Sequence, residues 1–482
     1  MKHSMHAHST EAPASAGRKS WAILALLAVA QFMVVLDITV VNVALPSIGS
    51  DLGFAAGDLQ WVVTAYVIVA GSLLLLGGRM ADLLGRRPVF LAGLLVFTGA
   101  SLASGFAATP DALIASRAAQ GLGAAMLSPA ALSIITTTYV GAQRTTALSV
   151  WGAIGAGGAA AGMLFGGMLV TWLSWEWIFF INVPIGIVSA IGALHLLPAS
   201  GGMVNPLRRL DLSGAFAVVA GLVVLVYAIQ GTGVHGWGSA RTVLLLVLSG
   251  GLLTVFARIE RTTGDPLVPP ATWHMPSLVS SATVMFGASG ILVGTFFLNS
   301  LFFQNVLGAS ALETGLAFLP LAVIIGVAAH AASHLLARFG ARAVVVIGLT
   351  MVAAGNLLLA AASFEASYVP DLLPALLLIG FGVGLAFVAA SVGAMADVRD
   401  DGAGLASGLM TTAHEIGAAF GVAIFSAVAL GSGAVLATGA AFVNGYSNGA
   451  LVGALIAGTL ALLALITVPA IKPTAAQHIS MH

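Results

Sequence analysis

The sequence predicts an all-α integral membrane protein of fourteen transmembrane helices, arranged as two six-helix bundles plus two extra spans. Three observations carry this. First, 59% of the 482 residues are hydrophobic and only 7% are charged, with a mean hydropathy of +1.06, whereas a soluble domain carries about 25% charged residues. Second, apolar runs long enough to cross a bilayer, about twenty residues each, recur along the whole chain. Third, when the N-terminus is set in the cytoplasm and fourteen spans alternate, 15 of the 17 Lys and Arg residues fall inside, with Arg241 outside and Arg117 within a span. That is the positive-inside bias, and one span more or fewer would scramble it.

Composition also excludes. Cysteine is absent, so there is no disulfide framework, thiolate metal site or cysteine nucleophile. The formal net charge is zero, which gives no reason to expect nucleic acid as a partner. No GxxxxGK[ST] phosphate loop occurs, which argues against ATP-driven transport by this chain alone. No soluble stretch is long enough for an enzyme, and no loop gathers the acids and histidines of an intramembrane hydrolase. No cofactor and no metal are expected.

Residues 1–19 are polar and lack the layout of a signal peptide, so 1–20 reads as a cytoplasmic tail. The spans are expected near 21–45, 59–79, 88–108, 112–138, 147–171, 177–197, 211–231, 241–257, 277–302, 314–336, 342–362, 371–395, 405–430 and 449–470. A faint repeat relates GGRMADLLGRRPVFLAGL (77–94) to SHLLARFGARAVVVIGL (333–349), with Gly85 on Gly340 and Arg87 on Arg342. This divides the chain into bundles at 21–197 and 277–470, a linker with two inserted spans at 198–276, and a cytoplasmic tail at 471–482. Related halves about a central cavity are a common transporter plan.

In the first span, VVLDITVVNVALP (34–46) carries Asp37, although a mid-bilayer Asp costs about 2.5–3.5 kcal/mol on insertion scales. Either it is a polar residue satisfied by a neighbouring helix, or it faces a watery path and exchanges protons or binds a cation. Asn42 lies about 140° round the helix from it, and Pro46 is expected to end the span. Trp61 and Tyr66 of the second span are aromatic cavity candidates by position, as is Asn42.

The following turn reads G-x-x-x-D-x-x-G-R-R (Gly78, Asp82, Gly85, Arg86, Arg87). Its glycines allow a tight turn. Asp82 either caps the next segment or pairs with an arginine across the halves, which would latch one conformation. Otherwise the arginines simply hold the loop inside. In the fourth span Arg117, Gln120, Gly121, Ala124 and Ser128 share a face; Arg117 either tunes a nearby carboxylate or braces backbone carbonyls. In the fifth, Gly158, Gly162 and Gly166 recur every four residues and Gly167 follows, as in close helix packing or a bending helix. His330 and His334 are spaced i, i+4 without a third ligand, and His3, His6 and His8 of the tail are idle. In the thirteenth span Gly408, Thr411, Thr412, Glu415, Ala418 and Ala419 form a small and polar stripe. Its Glu415 is either bonded to a facing helix or functional, and His414 beside it either titrates or is packed.

These residues resemble the fourteen-helix drug:proton antiporter branch of the major facilitator superfamily over nearly the whole chain. LDITVVNVALP (36–46) looks like the first-helix signature of that branch, GGRMADLLGRR (77–87) like the loop signature, RAAQGLGAA (117–125) like the fourth-helix signature, and GGAAAGMLFGG (157–167) like the fifth-helix antiporter signature. WEWIFFINVPIG (175–186) and DPLVPP (265–270) are similar to this branch as well. Four residues depart from it. Met163 follows Gly162 where the family has proline, Glu176 stands where many members have arginine, and His414-Glu415 replaces arginine-glutamine.

The resemblance implies a major facilitator fold in the cytoplasmic membrane, both termini cytoplasmic, expected as a monomer and exporting hydrophobic cationic or neutral small molecules such as drugs or antibiotics. Its partners are the substrate, protons and the lipid bilayer. Asp37, Glu415 and Arg117 would couple protons; Asn42, Trp61, Tyr66, Gln120, Thr411 and His414 would line the substrate cavity. One rival is a dedicated exporter or proton symporter of a single metabolite, separated from the first by a substrate panel. The other is a non-transporting sensor, which would bind without flux and tolerate loss of Asp37.

Overall fold

The computed structural model describes residues 14–54, 58–139, 141–198, 211–264, 266–396, 398, 403–431 and 440–470. Lys2, Arg208, Arg209, Arg399, Lys472 and the three tail histidines lie outside these ranges. All regular elements among the described residues are helical. They are α1 (Ala14–Leu52), α2 (Trp61–Leu84), α3 (Arg86–Gly105), α4 (Pro110–Thr138), α5 (Gly141–Trp172), α6 (Trp177–Phe180), α7 (Asn182–Leu196), α8 (Leu212–His235), α9 (Ala240–Thr262), α10 (Pro276–Asn305), α11 (Ala311–Ala360), α12 (Leu373–Ala394), α13 (Ala403–Gly431) and α14 (Ala440–Thr467). In a bilayer only such elements satisfy their own backbone.

Local chemistry sets several starts. Thr109 accepts from the Ala112 N–H with Pro110 in the first turn of α4. Asp211 accepts from the Gly214 N–H at 2.8 Å ahead of α8. Ser310 and Glu313 form a reciprocal capping box ahead of α11.

Twelve helices among the described residues are long and apolar enough to cross a membrane, against the fourteen expected. Two features account for the difference. Of α5, 32 residues long, the fully described stretch Ala161–Trp172 is a shorter apolar helix and is not among the twelve. And α11 runs for 50 residues, about 75 Å if straight, far more than a bilayer needs. It is broken at Gly340, where φ is 78° and ψ 168°, into arms at 311–339 and 341–360. A second correction concerns α1. Pro46 does not end it, and the helix continues to Leu52. Its start at Ala14 likewise precedes the expected end of the tail.

The helices sort into two groups with matching internal contacts. Within the first, α1 packs on α5 and α7, and α2 and α3 pack on α4; within the second, α10 packs on α13 and α14, and α11 packs on α12. The turn repeat is visible in the same terms. Gly85 (φ 99°) and Gly340 (φ 78°) both hold the left-handed backbone that favours glycine. Just past them, Arg87 Nη2 donates to the Leu194 carbonyl at the end of α7, and Arg342 Nε to the Val468 carbonyl after α14, both at 2.6 Å. The end of the molecule bearing these arginines is the turn end; the other is the far end.

The groups meet along two seams, α5 on α11 and α2 on α13. At the far end, α1 residues from Leu36 to Ile48 share one apolar core with α10–α14. The α8–α9 pair lies outside both groups, against α13 and α2.

Candidate functional site

The central polar feature is built on four helices. Asp37 on α1 and Arg117 on α4 form an ion pair of 2.5 Å, Nη1 to Oδ2, with side chains 0% and 1% exposed. Gln120, three residues on and therefore on the same face, donates Nε2 to Asp37 Oδ1 at 2.8 Å. Asn182, the first residue of α7, donates Nδ2 to the same oxygen at 2.9 Å. The carboxylate thus accepts from three donors. Ser101 on α3 props the two amides, accepting from Gln120 at 3.1 Å and Asn182 at 3.0 Å while donating to the Phe179 carbonyl at 2.9 Å.

Arg117 is held equally firmly. Its Nε donates to the Val62 carbonyl at 3.0 Å and its Nη1 to Gln120 Oε1 at 2.7 Å. Its guanidinium lies 4.4 Å from the Tyr66 ring centre and 5.7 Å from that of Phe179. So both readings of Arg117 describe real contacts: it pairs with a carboxylate and braces a carbonyl. A buried pair with satisfied donors is held while both charges persist, and losing either strands the other.

Asn182, Ser101 and Phe179 were not among the expected site residues. An uncharged amide in an apolar run gives no cost signal of the kind an Asp or Arg gives. The sequence signal that covers Asn182 is the stretch WEWIFFINVPIG (175–186), within which α6 gives way to α7.

A second polar group lies on α13. Glu415 is half-buried and faces α2 at Gly71, where an added Cβ would lie 2.7 Å from Glu415 Cβ. Among the described residues no hydrogen bond or ion pair reaches its carboxylate. His414 stands edge-on to Phe387 at 5.4 Å, and its carbonyl accepts from Ser289 Oγ at 2.7 Å. Thr411 is exposed and donates to the Ser407 carbonyl at 3.0 Å.

The remaining expected residues separate. Tyr66 and Gln120 belong to the Asp37 cluster. Trp61 packs on Tyr227 of α8, ring centres 6.0 Å apart, on the side of α2 that meets the inserted pair. Asn42 is 6% exposed at the contact between the groups, its Nδ2 on the Ile38 carbonyl and its Oδ1 unpartnered. In the turn, Gly78 faces Pro129. Asp82 is exposed and caps nothing, since α3 begins without a side-chain cap. The described partners of Arg86 and Arg87 are Ser133 Oγ at 2.7 Å and the Leu194 carbonyl, both in their own group. On α5, Gly158, Gly162 and Gly166 face Val35, Thr39 and Val40 of α1, whereas Gly167 faces Ala311 and Leu312 of α11. His330 and His334 are exposed, and no metal-binding group of three His, Cys, Asp or Glu occurs among the described residues.

Two groups of apolar helices, the first holding a buried charge cluster, define a multi-pass membrane protein with a transporter's architecture. Residues 27–422 match the Major Facilitator Superfamily model, and the chain belongs to that superfamily, whose members are transporters rather than enzymes. It is 40% identical to the puromycin resistance protein pur8 of Streptomyces alboniger over 93% of this chain and 90% of that protein. It is 39% identical to the cephamycin export protein CmcT of Amycolatopsis lactamdurans, over 85% of each. Among solved structures, an inward-facing bacterial homologue of the human lysosomal transporter Spinster aligns with a TM-score of 0.63 at 17% identity, covering 95% of this chain and 98% of that one. The D-xylose-proton symporter aligns with a TM-score of 0.65 at 14% identity, covering 93% and 98%. These two show the fold.

Proposed function

We propose that this chain exports hydrophobic small molecules of the drug or antibiotic class across the cell membrane, driven by inward proton flow. The observation that carries the coupling is the buried Asp37–Arg117 pair with its amide cage. The export direction and substrate class rest on the relatives named for resistance and export.

In this reading the halves 21–197 and 277–470 rock about a central cavity, with fourteen spans in all: the two arms of α11 count separately, α5 counts as one span, and α6 and α7 together make another. The 198–276 segment carries the two extra spans. Both termini face the cytoplasm, so the turn end is inner and the far end outer. Asp37 and Glu415 take protons from outside and release them inside, and Arg117 tunes that exchange. Because Asp37 is already neutralised by Arg117, Glu415 is the acid left to favour a cationic or neutral amphiphile. The 78–87 turn latches the outward-facing state, and the protein works as a monomer.

A second reading is favoured by the relatives' names, since a puromycin resistance protein and a cephamycin export protein are each named for one antibiotic. There the chain is a dedicated exporter. The test is efflux of a panel of unrelated dyes and antibiotics from cells expressing the chain, with Asp37→Asn as the control. Efflux of several unrelated compounds supports the broad reading and efflux of one supports the dedicated reading. Efflux of none by folded, membrane-inserted protein would refute both.

A further inference from the structure

Three helix-interior prolines occur among the described residues: Pro46 in α1, Pro129 in α4 and Pro320 in α11. A proline has no N–H, so the carbonyl four residues before it loses its helical partner. In apolar surroundings such a carbonyl must find another donor. At Pro129 the freed carbonyl is that of Ala125, which lies against Gly77 of the same helix group. At Pro320 the neighbouring Ala317 carbonyl accepts from Tyr368 Oη at 2.7 Å, again within one group.

Pro46 differs. It frees the carbonyl of Asn42, and the donor that serves it comes from the opposite group: Ser300 Oγ on α10, at 2.6 Å. Ser300 is 0% exposed, so no bulk water competes. One turn on, Gln304 Nε2 donates to the adjacent Val43 carbonyl at 3.0 Å and lies 3.4 Å from Ser300 Oγ. The same far end carries two more polar contacts between the groups, Ser426 Oγ to Gln60 Oε1 at 2.8 Å and the Leu312 N–H to Thr171 Oγ1 at 3.1 Å. A small cavity at this seam is lined by Thr39, Asn42, Val43, Met163, Phe296 and Phe318, with room for about one water.

We propose that the proline-freed Asn42 carbonyl and the Ser300 hydroxyl form the latch that holds the far end closed. While the groups touch, Ser300 satisfies the carbonyl. When they part, only water can, so opening of this end requires it to hydrate. The bond therefore biases the two-state equilibrium of the seam toward closure, and its strength comes from the missing N–H of Pro46. This goes beyond the exporter reading. It rests on the two-group fold alone and holds whatever the cargo is.

The test is a double-mutant cycle read by spin-label distances. The chain has no cysteine, so Ser50→Cys on α1 and Asn305→Cys on α10, both exposed near the far end, give a label pair without background. The measurement is made on the full protein in lipid nanodiscs with no substrate. Ser300→Ala is expected to raise the ratio of open to closed distances about tenfold, because it strands a buried carbonyl only in the closed state. Pro46→Ala restores an N–H to α1, so on that background Ser300→Ala should add less than about threefold. Unchanged distances in Ser300→Ala overturn the proposal, as does a full tenfold effect on the Pro46→Ala background. If Pro46→Ala fails to fold, the single Ser300→Ala variant decides it. The exporter reading does not enter, since no transport is measured.

Discussion

Replacing Arg117 by glutamine tests the central cluster most sharply. Arg117 and Asp37 are 1% and 0% exposed and 2.5 Å apart. Removing one partner of a buried pair leaves an uncompensated charge and costs about 3–5 kcal/mol. The stacking of the guanidinium on Tyr66 at 4.4 Å adds about 0.5–2 kcal/mol to that loss. The amides of Gln120 and Asn182 remain to solvate Asp37 and pull the total toward the lower end, so Arg117→Gln should lose about 3–4 kcal/mol. Asp37→Asn/Arg117→Gln removes both charges, and the asparagine still accepts from the two amides. The double variant should therefore be more stable than Arg117→Gln by about 2 kcal/mol. The assay is equilibrium unfolding in detergent micelles with each variant in the same micelle. A loss below about 1 kcal/mol for Arg117→Gln, or a double variant no more stable than the single, would refute the claim that this pair is buried and mutually dependent.

Other expectations follow from single positions. Gly85→Ala and Gly340→Ala each force a side chain into a left-handed backbone and should cost about 1–3 kcal/mol in the same assay; losses under about 0.5 kcal/mol would mean the turns relax freely. Gly421→Ala places a Cβ against the Gly290 carbonyl, whereas one at Gly458 meets nothing within 4 Å, so the first should depress thermal stability and the second leave it nearly unchanged. Trp61→Ala should leave the dye panel unchanged, because Trp61 packs on Tyr227 of the inserted pair; a changed panel would return it to the cavity.

How much of this was legible in the sequence depends on the kind of signal a residue sends. Asp37 and Arg117 stood out because each charge is costly in an apolar helix, but nothing in the sequence said that they pair with one another. That pairing depends on the packing of α1 beside α4. Asn182 completes the cage from 145 residues away, and an uncharged amide raises no alarm. Gly85 and Gly340 were found by repeat, and their shared positive φ gives the physical reason for the match. Pro46 misled, since a proline usually stops a helix; α1 continues past it to Leu52, and the Asn42 carbonyl it frees accepts from Ser300 of the other group, a contact no local window contains. Trp61 misled because which face of α2 is central depends on where α8 settles. Asp82 misled as a cap, because α3 begins at Gly85 without a side-chain cap.

The most direct test of proton-driven export is flux in proteoliposomes with an imposed pH gradient, using ethidium as the probe cation, for the wild type, Asp37→Asn and Glu415→Gln. The expected result is gradient-driven ethidium accumulation in the wild type that collapses in Asp37→Asn and falls in Glu415→Gln, with all three proteins folded. Accumulation that persists in Asp37→Asn with the same dependence on the gradient would contradict the account, because the buried carboxylate would then take no part in coupling.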